Sequence, residues 1–198
     1  MSLFNYNAKE IHCKIVYYGP SLGGKTTNIK WIYQNLQTDQ KSKLMALNEE
    51  IERTFMFDFL PLEVGDIRGF KTRFHLYSVP GQIVFDETRR LVLQGIDGVV
   101  FVADSQSDRM GENLQSFENL EKNLRQQGYN INEIPLVLQY NKRDLPNALP
   151  ISELRKHLNK YNSMEIEACA FQGQGVLETF KTVSKSIIQV LKGASVHA

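Results

Sequence analysis

The sequence predicts an α/β layer fold: a mostly parallel central sheet, helices on both faces and one antiparallel strand hairpin. Three observations carry this expectation. Short β-rich runs alternate with helix-length polar segments along the whole chain. Residues 98–104 (GVVFVAD) and 136–140 (LVLQY) are dominated by apolar residues, as in strands buried on both faces. Residues 55–60 (FMFDFL) and 71–77 (KTRFHLY) read as two strands of a hairpin, with Gly65-Asp66 and Arg68-Gly69 supplying turn residues between them.

Taken in order, residues 14–18 (KIVYY) form a first strand that stops at Gly19, and residues 26–36 follow with helix length. The hairpin comes next and adds an antiparallel edge strand. After the 98–104 strand, residues 112–127 place Leu114, Phe117, Leu120 and Leu124 at helical spacing and stop at Gly128, so this stripe is core. The 136–140 strand is followed by a short helix with Ser152 as its N-cap. Residues 164–170 make a last strand. Residues 176–191 set Leu177, Phe180, Val183, Ile187 and Val190 on one helical face. Asp97 and Asp104 flank the 98–104 strand and read as end caps. His75 alternates with Phe74 and Leu76, which puts it on the outer strand face.

Composition narrows the function classes. The chain has 198 residues, 42% of them hydrophobic, enough for a full core without disulfide or metal staples. We expect one domain over residues 1–192 and a short tail at 193–198. Lys plus Arg is 23 and Asp plus Glu is 22, a net charge of +1, which disfavours a nonspecific nucleic-acid binder. Two distant cysteines, Cys13 and Cys169, suggest neither a disulfide framework nor a zinc site and favour a reducing cytoplasm. The opening MSLFNYNAKEIH lacks signal-peptide character, and no run approaches the ~18 apolar residues of a membrane span. Ser2 and the ending GASVHA offer no myristoylation or prenylation site, so we expect no lipid anchor and placement through partners.

The chemistry starts at Gly19-Pro20-Ser21-Leu22-Gly23-Gly24-Lys25-Thr26, which fits G-x-x-x-x-G-K-[ST]. Glycines let the backbone curl so that its N–H groups face phosphate oxygens. The following helix presents its positive end to the same anion. Lys25 is expected to reach the β- and γ-phosphates, and the Thr26 hydroxyl to ligate Mg²⁺. Gly19, Ser21, Gly23, Gly24, Lys25, Thr26 and Thr27 are therefore expected nucleotide-binding residues.

Asn141-Lys142-Arg143-Asp144 follows the 136–140 strand and selects the base. The Asp144 carboxylate can accept from guanine N1–H and the 2-amino group. Adenine offers neither, leaving a buried charge unpaired, so the selection is sharp. Asn141 is expected to bridge this loop to the phosphate loop, and the Lys142 stem to lie along the base. Ligands in open α/β sheets bind at such strand ends.

With these motifs the chain resembles the Ras-like small GTPases. It is more closely similar to the bacterial mutual gliding protein A family, which sets cell polarity and motility. The resemblance covers about residues 5–192 and rests on KIVYYGP, GKTTN, ERTFMFDFLPL, GFKTRFHLYSVPGQ, DGVVFVADS and YNKRDLPNA. It implies a P-loop small-GTPase fold and a GTP/GDP switch with Mg²⁺, slow intrinsic hydrolysis and two nucleotide-sensing loops. Effector or regulator proteins would bind those loops in the GTP form. It further implies that Thr54 ligates Mg²⁺, that Arg53 stabilises transition-state charge, and that Gln82 orients the attacking water. Gly81 would give its N–H to the γ-phosphate, and Ala170 its N–H to guanine O6. Pro61 and the hairpin match a strand that slides between nucleotide states. A cytoplasmic monomer recruited to a cell pole is the corresponding expectation.

Departures from the family pattern are informative. Ser78 stands where most Ras-like proteins have Asp, and Asp58 on the facing strand is the candidate to replace that carboxylate near Mg²⁺. Ser21 stands where the family usually has Gly. A side chain there would obstruct Gln82 or an incoming arginine, so slow hydrolysis and impaired activation by a partner, such as a roadblock-type activating protein, are expected. Phe171 replaces a common Lys and either stacks on guanine or merely packs. Residues 48–52 are acidic and bear on which partner docks. The alternatives are a GTP-binding scaffold with little hydrolysis, or another phosphate-loop enzyme such as a nucleotide kinase. The second is disfavoured by the N-K-x-D element and the lack of an arginine-rich lid.

Overall fold

The apolar run of β6 (Gly98–Asp104) is buried at every position, inside the sheet rather than at its edge. Alternation along it explains why: Val100 and Val102 enter one core, while Val99, Phe101 and Ala103 enter another on the opposite face. The computed structural model describes residues 3–35, 45–46, 58–67 and 69–194. The described residues form one eight-stranded sheet. Its remaining strands are β1 (Leu3–Asn5), β2 (Glu10–Tyr18), β3 (Met45–Ala46), β4 (Asp58–Ile67), β5 (Phe70–Ser78), β7 (Leu136–Asn141) and β8 (Met164–Glu167). The order is β3-β4-β5-β2-β6-β7-β8, and β5, β2, β6, β7 and β8 run parallel.

Helices cover both faces, as the sequence predicts. Helix α1 (Lys25–Asn35) packs Ile29 and Ile32, and α5 (Val176–Ala194) packs Val176, Phe180, Val183 and Ile187, against one face. Helices α2 (Asp86–Val92), α3 (Met110–Gln126) and α4 (Ile151–Leu158) supply Val92, Phe117, Leu120, Leu124, Leu154 and Leu158 to the other. Phe101 and Phe117 meet edge-on at 4.9 Å, tying β6 to α3. A buried amide ladder ties α1 to α5 through the sheet: Asn28 and Gln139 exchange hydrogen bonds at 2.8 and 2.9 Å, and Gln139 donates to Thr179 Oγ1 at 2.8 Å. Unpaired, these groups would each cost about 1–3 kcal/mol.

Several elements differ from the sequence expectation. The hairpin is longer: β4 and β5 pair antiparallel up to Ile67↔Phe70, so Gly65 and Asp66 lie inside β4, next to a register shift, rather than in the turn. The edge strand is β3 rather than a hairpin strand, and β1 adds a further antiparallel pair on β2. Strands this short carry too few residues for alternation to register. Pro61 sits beyond the part of β4 that pairs with β3, where a missing N–H is tolerated. Helix α2 was not expected, because its DETRRLV sequence has no apolar stripe. Ser152 is not the N-cap of α4. Pro150 holds that place, and its carbonyl accepts from Leu154 N–H. In α5 the buried face is rotated: Val176 is buried, Leu177 is only partly so and Val190 is half-exposed. This helix runs to Ala194, past the expected boundary at 192, and residues 195–198 lie outside the described residues. Asp97 is a backbone tie as expected, accepting from Lys14 N–H at 2.8 Å.

His75 lies on the outer face of β5, hydrogen-bonded to His12 at 2.8 Å. Burial pushes its pKa down to about 4, aided by the charges of His12, Arg73 and Lys14 and opposed by Glu10. The folded chain thus prefers neutral His75 more than the unfolded chain does. Its contribution to stability is complete above the usual histidine value and is lost as pH falls from about 6.5 towards 4. Urea unfolding across that window should show stability falling less steeply for His75→Gln than for wild type. Parallel slopes would contradict the assignment.

Candidate nucleotide site at the carboxyl ends of the parallel strands

Strands β2, β5, β6 and β7 end together, and the loops that leave them meet. The phosphate loop leaves β2 and enters α1 at Lys25. Gly19 takes φ +143°, and a Cβ there would fall 2.3 Å from the Val102 carbonyl oxygen of β6. Gly24 takes φ +101°, and its Cβ would fall 2.1 Å from Asn141 Nδ2. Both positions therefore require glycine for conformation and for space. Lys25 is buried, with Nζ donating to Gly19 O at 3.0 Å and Pro20 O at 2.6 Å, so its charge is held under the loop.

Asn141 joins the two expected binding loops. Its Nδ2 donates to Gly23 O at 2.8 Å, and its Oδ1 accepts from Ala170 N–H at 2.8 Å. One carboxamide thus fixes the phosphate loop, the end of β7 and the loop after β8. Between them lies a cavity of about 260 Å³ lined by Leu22, Gly24, Thr27, Asn141, Lys142, Asp144, Leu145, Cys169, Ala170 and Phe171. Burial pushes the Cys169 thiol up, and its hydrogen bond to Asp144 acts in the same direction. Phe171 is 88% exposed, so it does not pack into the core but stands at the cavity rim.

A second convergence lies on the other side of the phosphate loop. Ser78, fully buried at the end of β5, places its Oγ 3.4 Å from Thr26 Oγ1. The register sets Asp58 opposite Ser78. Gly81 touches the phosphate loop directly, since a Cβ there would fall 2.3 Å from Ser21 Cα. Ser21, Gly81 and Gln82 line a cleft of about 350 Å³ whose far wall is Arg109, Glu112, Gln115 and Ser116. Arg53, Thr54 and the acidic stretch 48–52 lie outside the described residues.

Sequence reasoning missed the groups that hold these loops. Asp104 is more than an end cap. It is fully buried, accepts from Lys142 Nζ at 2.5 Å and Gln106 N–H at 3.2 Å, and lies 3.8 Å from Arg109 Nε. Arg109 in turn donates to Ser21 O at 3.0 Å and to Glu112 at 2.5 Å. Asp104 therefore sits between the base loop and the phosphate loop, and the only sequence signal was a carboxylate ending a wholly apolar strand. Arg143, an unassigned position in the motif, braces the base loop through Leu149 O at 2.6 Å and Glu167 at 3.0 Å.

Comparison with known proteins agrees with this architecture. Residues 2–187 match the model of the ADP-ribosylation factor family. The chain is 57% identical over 192 residues to the mutual gliding-motility protein MglA of Myxococcus xanthus, covering 97% of this chain and 98% of that protein. It is 28% identical to ADP-ribosylation factor-like protein 6 of Caenorhabditis elegans, covering 96% and 94%. Human ADP-ribosylation factor-like protein 4C is 27% identical over 68% of this chain and 70% of its own length. The chain belongs to the ADP-ribosylation factor family of Ras-like small GTPases, and it is a GTP/GDP switch that hydrolyses GTP.

Proposed function

We propose that this switch works as one domain over residues 1–192 and controls cell polarity and motility by binding partner proteins in its GTP form. The observation that carries the site assignment is the Asn141 junction, which fixes the phosphate loop and the base cavity as one body. Gly19, Ser21, Gly23, Gly24, Lys25, Thr26 and Thr27 hold the phosphates. Lys142 and Asp144 hold guanine, with Asn141 and Ala170 framing its cavity and Phe171 covering the base from the rim; the Ala170 N–H, expected at guanine O6, is given to Asn141 Oδ1 here. Family members bind Mg²⁺, and the residues here fit it: two hydroxyl oxygens, Thr26 and Ser78, converge, and oxygen donors suit a hard cation. Thr26, with Thr54, would hold the ion beside Asp58. When bound, Mg²⁺ would offset the phosphate charge.

The chain's own residues do the rest. Lys25 supports the β- and γ-phosphates, Gly81 gives its N–H to the γ-phosphate, and Gln82 orients the attacking water. Arg53 adds positive charge as the γ-phosphoryl leaves. The Ser21 backbone already touches Gly81 and Ser21 lines one cleft with Gln82, which supports the reading that a side chain at position 21 obstructs Gln82. Slow hydrolysis follows, with poor response to a roadblock-type activating protein. The similarity to a gliding-motility protein supports the cellular role. Among the described residues no helix is long and apolar enough to cross a membrane. We further propose a cytoplasmic monomer brought to a cell pole by its effectors, with no role for nucleic acid.

Asp144→Ala should weaken GDP binding by about 100-fold or more, since two charge-assisted hydrogen bonds are lost. The preference over ADP should narrow by the same order, and competition titrations measure both. An unchanged preference would remove Asp144 from the base site. Gln82→Ala should slow single-turnover GTP hydrolysis by roughly 10-fold to 100-fold with nucleotide affinity unchanged. A wild-type rate in that variant would remove Gln82 from the chemistry.

A further inference from the structure

We propose that Arg89 of α2 is a positioning residue for hydrolysis, aiming the Gly81 N–H and the Gln82 backbone at the phosphate loop. The inference rests on the roles given above to Gly81 and Gln82. Arg89 is among the largest fully buried side chains of the described residues. Its guanidinium donates to two successive carbonyls: Nε to Pro80 O at 2.8 Å, and one terminal nitrogen to Gly81 O. The other terminal nitrogen donates to Asn119 Oδ1 of α3 at 2.7 Å.

Peptide geometry turns these bonds into an aiming device. In a trans peptide the C=O and the next N–H point in opposite directions within one plane. Holding Pro80 O towards α2 therefore directs the Gly81 N–H away from α2. Holding Gly81 O does the same for the Gln82 N–H. The Gly81 backbone lies against Ser21, so the peptide planes that Arg89 holds belong to the segment that meets the phosphate loop.

The guanidinium is itself held on every side. Tyr18 lies beneath it, with the ring centre 5.3 Å from Cζ. Asn119 Oδ1 also accepts from Tyr18 OH at 2.5 Å, and Asn119 Nδ2 donates to Asp86 Oδ1 at 2.7 Å. Asn123, one turn along α3, donates to the same Asp86 oxygen at 2.8 Å. Burial pushes the Asp86 carboxyl up, but hydrogen bonds from Asn119 and Asn123, with the charges of Lys122 and Arg89, outweigh it and hold the carboxyl below its usual value. An anionic Asp86 thus supplies countercharge. Only a planar fork spans two adjacent carbonyls and Asn119 together, so lysine would not replace arginine.

The test compares GDP affinity, GTPγS affinity and single-turnover GTP hydrolysis in wild type, Arg89→Lys, Asn119→Ala and Gln82→Ala, with thermal unfolding as the folding check. Arg89→Lys should keep GDP affinity within about twofold, lose GTPγS affinity by about tenfold, and slow hydrolysis by tenfold or more. Asn119→Ala keeps Arg89 but removes what aims it, so it should shift the GTPγS-to-GDP ratio in the same direction by about threefold. If Arg89→Lys does not fold, Asn119→Ala decides. An unchanged ratio in a folded variant, or an equal loss for both nucleotides, would overturn the proposal. A wild-type rate in Gln82→Ala would instead overturn the Gln82 reading, leaving the affinity ratio to judge Arg89.

Discussion

The structure depends on one buried carboxamide. Asn141 donates to Gly23 and accepts from Ala170, so two loops and the end of β7, from three parts of the chain, share a single junction. Glycine at position 24 is the condition for it, because any Cβ would occupy the place of the Asn141 amide. The junction is almost fully closed to solvent, where a hydrogen bond is strong and an unmet one is costly. The loops proposed to take phosphate and base are therefore parts of one body. A distortion at one loop is passed to the other through bonds of under 3 Å.

Around that junction, paired charges set the loops at longer range. Asp104 lies between Lys142 and Arg109, and Arg109 reaches the phosphate loop at Ser21. Arg89 does comparable work for the segment that follows β5. Each arginine donates to backbone carbonyls rather than relying on a single acidic partner, so each fixes the direction of a peptide plane. A chain with net charge of only +1 can thus offer a triphosphate a local positive field, held in Lys25, backbone N–H groups, the buried Arg89 and the partly buried Arg109 and Arg143.

The legible parts of the sequence were those whose physics is local. Residues 98–104 are apolar because both faces of that strand are covered, and the strand has the expected bounds. The phosphate loop was legible because its glycines answer a backbone demand at fixed spacing, and the base loop because it follows a strand end. Strands β1 and β3 were not legible, being too short to show alternation. Helix α2 and Arg89 were hidden because a buried arginine looks in sequence like a solvated one. Only the three-dimensional placement of two carbonyls and Asn119 shows otherwise. Phe180, Val183 and Ile187 of α5 are buried as the sequence predicts, while Val176 rather than Leu177 enters the core, since the two are equally apolar and only packing against β6 and β7 separates them.

Coupling of the two loops through Asn141 is the central property of the site. The direct measurement is the affinity of Asn141→Ala for GDP and for inorganic pyrophosphate, alongside wild type and with the fold checked by circular dichroism. If one carboxamide holds both loops, both affinities fall together, GDP by tenfold at least, since two buried backbone groups lose their partner. Unchanged GDP affinity in a folded variant, or a loss confined to GDP with pyrophosphate binding intact, would contradict the claim that the two loops act as one body.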